Sequence, residues 1–175
     1  IGSVLTDVLV SKASEYDFQV VAMSRGMDGL KQAFPERSEH LRLVSHDVNK
    51  PMGDIVCDTV FHCASNTHPR AYSLDPIGTI ETNVIGLKNL LDMASDAGDG
   101  RFVFASSVEI YGENRGDVDA FDESYCGYID CSSVRSGYNE SKRVGEALCQ
   151  AYGSQKDLDF VIPRLSRIII QIGRA

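Results

Sequence analysis

The chain has 175 residues, 43% hydrophobic and 24% charged, which fits one soluble globular domain with enough apolar material for a core. Its 17 basic and 25 acidic residues give a net charge of −8 with no basic cluster, which argues against nucleic acid or an anionic membrane surface as partner. Five cysteines (Cys57, Cys63, Cys126, Cys131 and Cys149) are odd in number and lack Cys-x-x-Cys spacing, so free thiols in a reducing cytoplasm are expected. No apolar run approaches membrane-spanning length and no signal-peptide pattern precedes the first helix. The four histidines are scattered without the spacing of metal ligands, so no metal is expected.

In chain order, Ile1-Gly2-Ser3 leads into a helix that places Val4, Leu5, Val8 and Leu9 on one face. Residues 19–23 (Gln-Val-Val-Ala-Met) read as a short buried strand ending in Ser24-Arg25-Gly26, and a second strand runs from Leu41 to Val48. A third, from Asp58 to Ser65, ends in small residues that let a backbone approach a ligand. Ser73-Leu74-Asp75-Pro76 then introduces a helix with Ile80, Val84, Leu87 and Leu91 along its apolar face, closed by Ala97-Gly98-Asp99-Gly100.

The stretch from Arg101 to Lys142 carries the chemistry. Arg101-Phe-Val-Phe-Ala reads as a buried strand, followed by the hydroxyls of Ser106 and Ser107 where it runs out and by Gly112 as a breaker. In an open α/β sheet ligands bind at the carboxyl ends of the strands, so both serines sit where a reacting group can be held. The polar segment 113–137, with Asp117, Asp119, Asp122, Glu123 and Asp130, has no period and reads as an irregular loop at the mouth of a site. A helix follows from Tyr138 to about Tyr152, which stacks Tyr138 and Lys142 about one turn, ~6 Å, apart on one face. Asp159 to Arg167 gives one more strand.

The tyrosine–lysine spacing has a use. A free phenol titrates near ~10, and bringing it to ~7 takes roughly 4 kcal/mol of differential stabilisation. A neighbouring ammonium favours the phenolate. Ser107 could then hold the substrate oxygen whose proton Tyr138 moves.

Together, Ser106-Ser107-Val108-Glu109-Ile110-Tyr111-Gly112 and Tyr138-x-x-x-Lys142 resemble the extended short-chain dehydrogenase/reductase family, the NAD-dependent epimerases, dehydratases and decarboxylases of nucleotide sugars. The resemblance runs from Ile1 to about Arg167. It implies an α/β fold, a Rossmann-type doubly wound parallel sheet, in a chain truncated at both ends: a first strand would precede Ile1 and a C-terminal substrate lobe would follow. Strands 19–23 and 58–64 would flank that first strand and not pair with each other.

The resemblance also implies roles. Gly2 is similar to the third glycine of the cofactor turn, Asp47 and Val48 to an adenine-contacting pair, and Cys63-Ala64-Ser65 to a small-residue approach to the cofactor. Asn83, in Thr82-Asn83-Val84-x-Gly86, would tie its helix to the neighbouring strand in support of the cofactor site, and Pro163 would lie beside the cofactor. Ser24 stands where NAD-preferring relatives carry an acid, and Arg25 follows, so NADP is slightly favoured over NAD. Ser107, Glu109, Tyr138 and Lys142 would be catalytic, with Lys142 also gripping the nicotinamide ribose. Hydroxyl-x-Glu at Ser107-Val108-Glu109 is closest to UDP-glucuronate decarboxylase; nucleotide-sugar 4-epimerase and 4,6-dehydratase stand next. An NADPH-dependent ketone or aldehyde reductase and a non-catalytic dinucleotide-binding module are the remaining alternatives. The complete enzyme would be a homodimer. Residues 168–175 form a tail that resembles no family pattern.

Overall fold

The computed structural model of the chain describes residues 1–36, 38–66 and 69–166, with the backbone alone at Pro69; Arg167 and the atypical tail lie outside them. Among the described residues seven short strands are interspersed with helices, and every strand pair is parallel. This is a Rossmann-type arrangement. Strand β1 (Val20–Ser24) pairs with β2 (Leu41–Ser45), β4 (Arg101–Phe104) lies between β3 (Thr59–His62) and β6 (Asp159–Val161), and β5 (Ser106–Ser107) pairs with β7 (Arg164–Leu165). β1 and β3 are not hydrogen-bonded to each other, so the sheet is divided where the resemblance places another strand.

The strand read from Arg101 to Ala105 ends at Phe104, and the hydroxyls expected where it runs out form a separate two-residue strand, β5, beyond Ala105. The last strand is interrupted at Ile162-Pro163 because proline has no N–H for the ladder, although the Pro163 carbonyl still accepts from the Ser106 amide at 3.0 Å.

Helix α1 (Gly2–Tyr16) corrects an expectation. Val4 and Val8 are exposed, and the inward stripe is Leu5, Leu9 and the fully buried Ala13, because α1 packs chiefly against β1. Two short helices were not expected, α2 (Met27–Ala33) and α3 (Pro69–Leu74). Asp75 ends α3 and caps α4 (Pro76–Glu81), accepting from the Gly78 amide at 3.1 Å with Pro76 in the first turn.

The expected single apolar face from Ile80 to Leu91 is also corrected. A π-helical turn, Thr82–Gly86, joins α4 to α5 (Leu87–Asp96). Its extra residue rotates the buried face, so that Thr79, Asn83 and Gly86 point inward upstream, Leu87, Leu90, Leu91 and Ala94 downstream, and Ile80 is 42% exposed.

The core lies where α5 and α6 (Ser136–Lys156) cover β3, β4 and β6, around Phe102, Phe104, Leu87, Leu91 and Cys149. Gly145 permits this closeness, since a Cβ there would meet the Phe104 ring at 2.6 Å. Among the described residues no helix is long and apolar enough to cross a membrane.

Candidate active site

The two halves of the catalytic stretch converge. β5 brings Ser107 to the end of the sheet, and a 3₁₀ turn (Val108–Tyr111) follows, capped by the Ser107 hydroxyl accepting from the Glu109 amide at 3.2 Å. Gly112 then reverses the chain with φ +72°; a side chain there would strike the Tyr128 carbonyl at 2.5 Å. The 113–135 segment is irregular, as expected, but it is pinned: Arg143 of α6 donates to the Ile110 and Gly127 carbonyls, both at 2.7 Å. Tyr138 and Lys142, one turn apart on α6, are both buried.

Asn83 reaches from the π-helical turn to the same helix. Its Nδ2 donates to the Ser141 hydroxyl at 2.9 Å, and that hydroxyl donates to the Tyr138 carbonyl at 2.9 Å. The first turn of α6 is thereby fixed in rotation.

The electrostatics differ from the simple tyrosine–lysine picture. Burial pushes the Tyr138 phenol above its ordinary value; the nearby Ser107 hydroxyl pulls it down, and Glu109 and Tyr72 push it up. The Lys142 ammonium donates to the Ala105 carbonyl at 2.8 Å and lies 4.6 Å from the centre of the Phe104 ring. Burial lowers it to about 8. Beneath it His62 stacks on Phe104, and burial together with Lys142 holds that imidazole at about 3, hence neutral. Neither of its ring nitrogens has a protein partner.

Several groups at this site carry no local sequence signal. Tyr72 of α3 stacks on Tyr138 with ring centres 5.1 Å apart, and is itself buried. Burial raises its phenol, Glu109 adds to that, and Arg135 lies near enough to lower it again without a hydrogen bond of normal geometry. Arg135 also sits 3.5 Å from the Glu109 carboxylate. Glu109, Arg135, Val108, Ser136 and Asn139 line a hollow of about 430 Å³ that opens beside the 113–135 loop.

The residues assigned to a cofactor lie along the carboxyl ends of β1, β2 and β3. Ser24 donates to the Gly26 carbonyl at 3.1 Å, and Arg25 is exposed. The Asp47 carboxylate accepts from the Asn49 amide at 3.1 Å, which is turn chemistry. Val48 packs against the core, and its carbonyl accepts from Asn89 at 2.8 Å. Beyond β3, Cys63 is half-buried with its thiol raised by burial, Ala64 is exposed, and the buried Ser65 hydroxyl has no protein partner. Gly2 at the start of α1 stands 3.5 Å, Cβ position to Cβ, from Cys63. Pro163, between β6 and β7, is half-buried.

The model of the NAD dependent epimerase/dehydratase family matches residues 1–169. The chain belongs to that family. Among its relatives, UDP-glucuronic acid decarboxylase 1 of Danio rerio is 34% identical over 94% of this chain and 38% of its own length. UDP-glucuronic acid decarboxylase 3 of Arabidopsis thaliana is 35% identical over 94% of this chain and 47% of its own. A solved UDP-galactose 4-epimerase superposes with a TM-score of 0.74 at 28% identity, over 93% of this chain and 51% of that one. The chain therefore spans about half or less of the length of these relatives.

As a member of the NAD dependent epimerase/dehydratase family, the chain is expected to hold a dinucleotide, and its residues fit one. Gly2 adds no side chain at the head of α1, where the backbone N–H groups of the first turn are free of helical partners, and the orphaned Ser65 hydroxyl beyond β3 supplies a further donor.

Proposed function

We propose that this chain is the cofactor-binding and catalytic part of a nucleotide-sugar enzyme that works through a transient 4-keto sugar, with decarboxylation of UDP-glucuronate as its reaction. The observation that carries this reading is the closeness of Ser107, Glu109 and Tyr138, with Glu109 lining a hollow whose wall at position 108 is valine. An acid at that position is what 4,6-elimination would use, and an exposed valine cannot protonate a leaving hydroxyl. The decarboxylases among the relatives support the same choice.

A bound nicotinamide supplies a hydride acceptor at the start of the reaction and a donor at its end. Tyr138 takes the proton from the sugar 4-hydroxyl, and Ser107 holds that oxygen while the carbon is oxidised. Because the Tyr138 phenol is raised in the structure, the site needs a cation beside it at the moment of reaction. Lys142 can contribute by exchanging the Ala105 carbonyl for a ribose hydroxyl, and at about 8 its amine is still mostly the ammonium at neutral pH.

With a 4-keto group in place, loss of carbon dioxide from the neighbouring carbon leaves an electron pair that the keto oxygen accepts. Glu109 serves this middle stage, and Arg135 beside it offers the charge that a substrate carboxylate requires. Ser24 and Arg25 support NADP over NAD, since no carboxylate meets a ribose 2′-hydroxyl there and an exposed guanidinium suits a phosphate.

Tyr138→Phe in the complete protein tests the reading. It keeps the ring stacked on Tyr72 and removes the proton carrier, so carbon dioxide release from UDP-glucuronate should fall by ~10²–10⁴-fold with cofactor binding nearly intact. Activity above about a tenth of wild type would remove Tyr138 from the reaction.

A further inference from the structure

Outside the groups already assigned, the most tightly partnered ion pair among the described residues lies behind the reacting face. Glu146 is two helical turns beyond Tyr138 and one beyond Lys142, hence on the same side of α6. Its side chain is 14% exposed. One carboxylate oxygen accepts from the Ser106 hydroxyl at 2.6 Å and from Arg164 Nε at 3.1 Å, while the other accepts from Arg164 Nη2 at 2.8 Å. Ser106 immediately precedes Ser107 and is the register partner of Arg164 in the β5–β7 pair. Arg164 in turn donates to the Glu123 carbonyl at 2.6 Å and to the Tyr111 hydroxyl at 3.3 Å.

We infer that Glu146 is a positioning residue for the reaction: by joining α6 to β5 through the Ser106 hydroxyl, it fixes the distance between Ser107 and Tyr138. This rests on the proposed role of those two residues. The geometry explains why a single carboxylate can matter. β5 is only two residues long, with one neighbouring strand, and a two-residue ladder does not hold a side chain to a fraction of an ångström. Tyr138 sits on a different element, 31 positions along the chain from Ser107, so their spacing depends on whatever links strand to helix. Glu146 makes that link next to Ser107, with hydrogen bonds to a charged group that are stiffer than neutral ones. Through Arg164 the same carboxylate also anchors the 113–135 loop at Glu123, so the mouth and the floor of the site share one fastening.

The test uses Glu146→Gln, Ser106→Ala and Ser106→Thr in the complete protein, with cofactor titration to show that each variant is folded. Glu146→Gln and Ser106→Ala should each lower kcat by ~10–100-fold, the range that a displacement of about an ångström produces, with KM for the nucleotide sugar within about threefold. The alkaline-going limb of the pH–rate profile should move to higher pH in both, because Ser107 then stabilises the phenolate less well. Ser106→Thr keeps the oxygen and should restore both kcat and the profile. A role in stability alone would lower the yield of folded protein and leave the profile where it is. If Glu146→Gln does not bind cofactor, Ser106→Ala decides. Wild-type kcat and an unmoved profile in Ser106→Ala overturn the inference. Tyr138→Phe keeps the two questions apart: if it is inactive while Ser106→Ala is normal, positioning by Glu146 fails and the catalytic reading stands.

Discussion

Around β3, β4 and β6 the buried side chains form one cluster, including Phe102, Phe104, Leu87, Leu91, Ala94 and Cys149. Around β1 and β2 the buried hydrophobics are Ala13, Val20, Ala22 and Leu30, none of them in that cluster, and among the described residues of this sheet only Met23 packs against it. Both regions have regular parallel ladders, so backbone pairing does not distinguish them. Side-chain packing does. The groups proposed as catalytic stand on the densely packed region, where Tyr138, Lys142 and Ser107 are all buried. The residues assigned to a dinucleotide are divided between the two: Gly2, Ser24, Arg25, Asp47 and Val48 lie on or beside the lightly packed region, and Cys63, Ala64, Ser65, Asn83 and Pro163 on the other. Proton transfer demands geometry good to a fraction of an ångström, whereas a long cofactor spreads its contacts over many groups and tolerates adjustment.

The same substitution made in both regions gives the largest effect. Leu91→Ala should cost ~4–5 kcal/mol, because rigid neighbours cannot close the cavity, and Leu30→Ala nearer ~2–3 kcal/mol. Urea unfolding of the two variants measures the difference, and equal losses would erase the distinction between the regions.

A second effect comes from His62, buried in the packed region. Its folded pKa of about 3 lies below the unfolded value of 6.5, so the unfolded chain binds the extra proton first. Its contribution is complete above pH ~6.5 and is lost as pH falls towards ~3, at up to ~1.4 kcal/mol per pH unit. Replacing it by Phe should remove that slope; stability that declines equally in wild type and His62→Phe over this range would place the imidazole in contact with solvent.

The smallest belongs to the junction between α3 and α4. Asp75→Ala removes the cap on Gly78 and should cost ~1 kcal/mol. Because this junction sets the angle at which Tyr72 meets Tyr138, the loss should be accompanied by a change in the near-ultraviolet tyrosine signal. An unchanged signal would separate the cap from the stack.

What could be read from the sequence follows the range over which each feature is determined. Ser107, Tyr138 and Lys142 were legible because a strand end and an i, i+4 spacing are local. The direction in which Lys142 spends its charge was not, since the Ala105 carbonyl and the Phe104 ring lie nearly forty positions upstream. Tyr72 carried no signal at all: its place on Tyr138 depends on a helix break at Asp75-Pro76 that brings an otherwise unremarked segment back over the site. The apolar face through Ile80 and Val84 was misread for a related reason. Periodicity assumes 3.6 residues per turn, and the π-helical turn at Thr82–Gly86 inserts one residue to bring Asn83 against Ser141. Glu146 and Arg164 were visible as charges, but only the β5–β7 pairing shows that they meet at Ser106.

The central claim, that this site first oxidises a sugar and then acts on the product, is tested most directly by Glu109→Gln in the complete protein. On mixing with UDP-glucuronate, the reduced-nicotinamide absorbance near ~340 nm should rise while release of carbon dioxide is blocked by ~10²-fold or more. Loss of that absorbance together with product formation would contradict the account, because Glu109 would then be acting in the oxidation itself or in folding.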